Sequence, residues 1–165
     1  MAVHEHKARA PGTVACGVVT VSDSRTEATD DSGQLIRKLL ADAGHTVPFY
    51  EVVKDEGPAI LAAVERAVAA CDAVLTNGGT GLSPRDVTVE TLEPLMEKVL
   101  PGFGELFRAL SFREIGSAAM MSRALAGTFR GKLLFCLPGS PAACELAVKS
   151  LILAELGHAV GVMRR

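Results

Sequence analysis

The sequence has no tryptophan and only one tyrosine among its 165 residues. Base-stacking platforms for single-stranded nucleic acid are therefore scarce. No long basic run occurs and the net charge is −2, so nucleic acid is not an expected partner. Cysteine is sparse and dispersed: Cys16, Cys71, Cys136 and Cys144 form no C-x-x-C pair. They read as buried reduced thiols rather than as a disulfide framework or metal site. The four histidines are scattered, so no zinc cluster is suggested. The N-terminal MAVHEHKARAPG lacks an apolar signal core, and no unbroken apolar run is long enough to span a bilayer. These absences lead to the expectation of a cytoplasmic protein with no membrane partner. Residues 1–12 read as a mobile tail.

What remains suits one domain over residues 13–165, with 48% apolar and 22% charged residues. The apolar stretches alternate between two periods. TVACGVVTV (13–21) is β-branched and nearly all apolar, as a strand buried on both faces should be. Asp30, Asp31 and Ser32 then cap a helix carrying Leu35, Ile36, Leu39 and Leu40, which Gly44 stops. HTVPFYEVVK (45–54) reads as a second strand, and Pro48 suggests an edge or a bend. A helix begins near Pro58, and Ala73-Val74-Leu75 starts a third strand. Thr88 is a plausible cap for a helix through Met96, and a further helical pattern covers 103–114. KLLFCL (132–137) is a compact strand leading to Ser140 as cap and Pro141 as the first residue of a helix to about Leu156. Strands alternating with helices predict an α/β fold, three layers around a mainly parallel central sheet.

The stretch CDAVLTNGGTGLSPRDVTVET (71–91) carries the most chemistry. A buried strand runs into Gly78, Gly79, Thr80 and Gly81, and a helix start follows. Such a loop lets backbone amides approach an anion closely. Thr80 adds a hydroxyl, Arg85 a planar cation, and Asp86 a carboxylate suited to Mg²⁺. A tight strand-to-helix turn explains the glycines equally well. The dinucleotide fingerprint fails, because Pro84 stands where its last glycine belongs. The Walker A pattern fails at Gly127–Lys132, which is one residue short and continues into Leu133. Polar residues also follow the other strands: Ser22 and Asp23, then Asp55 and Glu56.

Several blocks taken together resemble the MoaB/Mog family of molybdenum-cofactor biosynthesis. They are VVTVSDSRT (18–26), DE (55–56), TNGGTGLSPRDVT (76–88), GFGELFR (102–108), IGSAAMMSRALAG (115–127) and LPGSPAA (137–143). The wording is closer to the MoaB branch. The resemblance implies a single molybdopterin-binding domain, assembled as a homotrimer or hexamer. It implies molybdopterin adenylylation, in which ATP and Mg²⁺ are used and pyrophosphate is released. By the same resemblance, Asp55 and Asp86 are catalytic and hold the metal. Ser22, Asp23, Gly78, Gly79, Thr80 and Gly81 bind nucleotide or phosphate. Ser117, Ser122, Arg123, Gly139, Ser140 and Pro141 lie near molybdopterin. Asn77 and Val89 depart from the family's usual residues without removing any of these groups. Two alternatives stay open: a molybdopterin-binding or scaffold protein that consumes no ATP, and an unrelated nucleotide enzyme of α/β fold.

Overall fold

A computed structural model describes residues 2–8 and 10–165. The chain runs α1 (Ala2–Ala8), β1 (Ala15–Val21), α2 (Asp31–Asp42), β2 (Thr46–Val53), α3 (Gly57–Ala70) and β3 (Ala73–Asn77). It continues through α4 (Thr88–Leu92), β4 (Lys98–Val99), α5 (Pro101–Ile115), β5 (Leu125–Phe129), β6 (Lys132–Leu137), α6 (Pro141–Ala147) and α7 (Leu153–Met163). The strands form a single six-stranded sheet in the order β2-β1-β3-β6-β5-β4. The first four are parallel, while β5 and β4 pair antiparallel at the far edge.

Side-chain alternation along the central strands divides the core in two. Cys16 and Val18 of β1, Ala73 and Leu75 of β3, and Leu133, Phe135 and Leu137 of β6 face one layer. There they meet Ile36 and Leu40 of α2, Phe107 of α5 and the long C-terminal helix. Val19, Val21, Val74, Leu134 and Cys136 face the other layer, against Ile60, Val64 and Val68 of α3 and Leu92. Each large aliphatic side chain buried in this way contributes about 1.5–3 kcal/mol. The two layers of helices and the sheet between them match the expectation of three layers around a mainly parallel sheet, and the antiparallel edge makes that sheet mixed.

Local chemistry explains most boundaries. Asp30 caps α2 by accepting from Gly33 N at 2.9 Å. Pro48 sits in the edge strand, and the pairing register with β1 shifts between Ala15 and Gly17, so the proline meets no ladder it would break. Ser140 Oγ accepts from Ala143 N and Pro141 opens α6.

Four expectations need correction. The helix from Thr88 stops at Leu92, and Val87, not Thr88, occupies the cap position. The Thr88 hydroxyl is drawn instead to a loop carbonyl described below. The helical pattern at 103–114 begins earlier, at Pro101, because a proline suits the first helical turn. Residues 125–129, to which the sequence assigned no strand, form β5. The β5–β6 hairpin turns on Arg130 and Gly131, both with positive φ, and such a pair is a weaker sequence signal than Asn-Gly. Finally, α6, a π-helical turn at Val148–Ile152 and α7 make one helix, Pro141–Met163, long and apolar enough by length and composition to cross a membrane. Glu145, Lys149 and Glu155 interrupt its apolar run, which hid it from the sequence criterion. Its buried residues Cys144, Ala147, Val148, Ile152, Leu156 and Val160 belong to the core.

Within the first twelve residues the structure places α1, beside α7, with Lys7 paired to Glu155. Met1 and Arg9 lie outside the described residues.

All four cysteines are buried and unpaired. Burial pushes the thiols of Cys16, Cys136 and Cys144 up from 9.0 to about 12. A thiol whose pKa is higher folded than unfolded favours the fold below the unfolded value, and that stability is lost as pH rises past it. Native protein is expected to resist a thiol-specific aromatic disulfide at pH 8 and to react at all four sites once denatured. The urea midpoint is expected to fall from about pH 9 upward. Rapid native labelling, or a midpoint constant to pH 11, would contradict the burial.

Candidate functional site

The carboxyl ends of β1, β2, β3 and β6 share one edge of the sheet, and the strand order reverses between β1 and β3. Ligands bind at such a switch point in open α/β sheets. β3 ends at buried Asn77, whose Nδ2 donates to Thr20 Oγ1 on β1 at 2.8 Å. Asn77 therefore ties two strands together.

The glycine loop begins next. Gly78 has φ +94° and Gly79 +71°. Gly78 N donates to Leu137 O at 3.0 Å, and a Cβ at Gly78 would lie 2.2 Å from Val21 O. The loop is thus wedged between the ends of β1 and β6, where only glycine fits. Its four carbonyls are all engaged. Thr88 Oγ1 donates to Gly78 O at 2.9 Å, and Thr88 N to Gly79 O at 3.0 Å. Arg123 Nε donates to Thr80 O at 3.1 Å, and Nη2 to Gly81 O at 2.7 Å. Arg123 Nη1 is in turn paired with Glu90. By contrast, the amides of Gly79, Thr80 and Gly81 meet no acceptor among the described residues. A loop that spends its carbonyls inwardly and leaves consecutive amides free has the donor pattern of an anion-binding nest.

Acidic groups border this nest. Asp86 Oδ2 accepts from Ser83 N at 2.9 Å and lies 2.7 Å from where a Gly81 Cβ would be. Asp55 Oδ1 lies 3.4 Å from the corresponding point on Gly79. Burial first, then the neighbouring charges of Asp23 and Asp86, push the Asp55 carboxyl up from its ordinary value. The Asp55 amide donates to Asp23 Oδ1 at 3.1 Å. Arg85 grips Asp23 through Nε and Nη2 at 2.8–3.0 Å, and these bonds hold the Asp23 carboxyl below its usual range.

A cleft of about 330 Å³ opens between the glycine loop, Asp86, Met121, Ser122, Pro138 and Gly139. Ser122 Oγ is buried there without a partner. Ser32 Oγ donates to Gly139 O at 2.7 Å, so Gly139 is held from α2. Another cleft of about 320 Å³ lies near Leu100, Phe103, Leu106 and Leu151, but its lining is almost wholly apolar. The chemistry belongs to the first.

The residues expected from sequence separate into groups. Gly78, Gly79, Thr80, Gly81, Asp55, Asp86, Asp23, Ser122 and Gly139 meet around this sheet edge. Ser22 Oγ accepts from Ser24 N and Arg25 N and shapes the β1 turn. Ser140 and Pro141 form the start of α6. Ser117 is exposed in the turn at 116–121 and does not line the cleft. Arg123 is a brace for the loop, with its donors already occupied. The bracing role of Thr88, the place of Glu90 and the pairing of Asp23 with Arg85 were not evident in the sequence. Their contacts span 10, 33 and 62 positions, and no local pattern signals them.

Residues 17–158 match a family model described as a probable molybdopterin binding domain. The chain belongs to this family. It is 54% identical to molybdenum cofactor biosynthesis protein B of Bacillus anthracis, over 96% of this chain and 95% of that protein. The Bacillus subtilis protein of the same name is 52% identical, over 100% of this chain and 99% of that one. A crystal structure of a molybdenum cofactor biosynthesis protein B superposes with TM-score 0.91 at 52% identity, covering 94% of this chain and 99% of that one. The tungsten cofactor synthesizing protein MoaB from Pyrococcus furiosus superposes with TM-score 0.86 at 39% identity, covering 94% and 100%. The fold is that of the MoaB/Mog proteins.

The wedge makes a comparison possible between two glycines of similar φ. Gly44 has φ +88° but nothing near its Cβ position, so Gly44→Ala is expected to cost about 1–2 kcal/mol in urea denaturation. Gly78→Ala adds a collision with a strand carbonyl and is expected to cost at least about twice as much. Equal losses would show that the loop is not wedged as described.

Proposed function

We propose that this chain acts in molybdenum cofactor biosynthesis and transfers AMP from ATP to the terminal phosphate of molybdopterin. The observation that carries the reading is the nest of free amides at Gly79, Thr80 and Gly81, bordered by Asp55 and Asp86. The family match and the names of the relatives support molybdopterin as the acceptor. The ligand class fits as well, since both substrates are phosphorylated.

In the reaction, a terminal phosphate oxygen of molybdopterin bonds to the α-phosphorus of ATP. The bond from that phosphorus to the bridging oxygen breaks, and pyrophosphate leaves with the electron pair. The attacking phosphate is already ionised at neutral pH, so no strong general base is needed. The loop amides hold phosphate oxygens, and the start of α6 adds the positive end of a helix dipole. Among the described residues no group of three or more His, Cys, Asp or Glu forms a metal site alone. Two mutually repelling carboxylates that need phosphate oxygens to complete the coordination suit Mg²⁺. Asp55 and Asp86 would hold it, and bound there it supplies charge neutralisation between two anions. Ser122, with its unpartnered hydroxyl on the cleft, faces the molybdopterin side, and Gly139 with the α6 start closes the other wall.

Exposed apolar side chains on and after α5, Phe112, Ile115 and Met120, support assembly as a homotrimer or hexamer. A cytoplasmic location is part of the same reading. A binding role without ATP consumption is the second reading. The free loop amides alone favour it, because they can hold a terminal phosphate without a metal or a second substrate.

Single-turnover mixing with molybdopterin, ATP and Mg²⁺ is expected to give adenylylated product and pyrophosphate. Asp86→Asn is expected to keep the fold and lose roughly a hundredfold or more in rate. Binding of molybdopterin without product would replace this reading with the second. An Asp86→Asn rate near that of the parent would remove Asp86 from the reaction.

A further inference from the structure

We propose that Arg85 is the side chain that takes the pyrophosphate moiety of the nucleotide, and that Asp23 positions it beforehand rather than touching phosphate itself. The substrate class rests on the adenylyl-transfer reading above.

The argument begins from charge. Asp23, Asp55 and Asp86 gather beside the glycine loop, with Asp86 lining the cleft itself, where two polyanions would have to meet. Arg123 cannot serve both roles at once: its Nε, Nη1 and Nη2 are committed to Thr80 O, Glu90 and Gly81 O, and its side chain is 29% exposed. Arg85 differs in each respect. It is 59% exposed, and its Nη1 meets no acceptor among the described residues.

Its position is also fixed. Arg85 lies one residue before Asp86, and the carboxylate it grips is the one that accepts from the Asp55 amide. The guanidinium is thereby held beside both acids and feels the charges of Asp55 and Glu56. An exposed ion pair of this kind is worth about 0–1 kcal/mol, so release from Asp23 costs little. A planar guanidinium binds phosphate oxygens through paired, charge-assisted hydrogen bonds that exceed this. When the bond from the α-phosphorus to the bridging oxygen breaks, negative charge grows on the departing pyrophosphate. A cation already oriented toward that group stabilises it without reorganisation.

The test is calorimetric titration of the full chain with magnesium pyrophosphate, which needs no turnover. Arg85→Ala is expected to bind about tenfold or more weakly than the parent, and free guanidinium ion is expected to restore part of the loss. Asp23→Asn keeps an oxygen for the Asp55 amide but loosens the grip on Arg85, and is expected to bind more weakly than the parent though less weakly than Arg85→Ala. Arg85→Ala binding within twofold of the parent, or no restoration by guanidinium, would overturn the proposal. So would a loss in Asp23→Asn larger than that in Arg85→Ala, which would place the working group at Asp23, or no loss there at all, which would remove its positioning role. Turnover by the parent with unchanged binding in Arg85→Ala would sink this inference alone. Arg85-dependent binding without turnover would sustain it and remove the transfer reading.

Discussion

The close approach of Gly78 to the end of β1 is the constraint on which the site depends. The Gly78 amide is bonded to Leu137 O, and its α-carbon passes so near Val21 O that no side chain fits. Three parallel strands are thus locked end to end by one backbone position. Everything after Gly78 inherits that placement: the free amides, the turn at Ser83, and the carboxylate of Asp86. A loop hung on flexible residues would leave those amides to be organised by the ligand, at an entropic cost to binding.

The second layer of support comes from side chains that never need to touch a ligand. Thr88 and Arg123 accept the task of satisfying the loop carbonyls, and Glu90 holds Arg123 in that orientation. Buried carbonyls without partners would be costly, so these residues allow the loop to be both enclosed and unpaired on its amide side. Asp23 plays a comparable part for the acids, since it receives both the Asp55 amide and Arg85. The site therefore combines a rigid donor surface with a charged rim held by exposed, exchangeable bonds.

Much of this was legible in the chain because its signals are local. Apolar runs marked the four parallel strands, Asp30 and Ser140 the caps of the helices after β1 and β6, and the clustered glycines the loop. The antiparallel edge was not legible. β4 has only two residues, and Gly127 interrupts the pattern of β5. At the site, the sequence placed Asp55, Asp86 and the loop, whose residue types state their chemistry. The resemblance set Arg123 near molybdopterin, and the fold turns that guanidinium inward onto backbone carbonyls. Such a role depends on a contact 42 positions away, and a guanidinium looks the same in sequence whichever partner it finds.

The central claim is that the free amides of the glycine loop and the bordering acids form one anion site. Amide NMR of labelled protein, titrated with magnesium pyrophosphate, addresses it residue by residue. The largest shifts are expected at Gly79, Thr80 and Gly81, with smaller ones at Asp55, Arg85 and Asp86. Shifts centred elsewhere, or none at the glycine loop at saturation, would contradict the account.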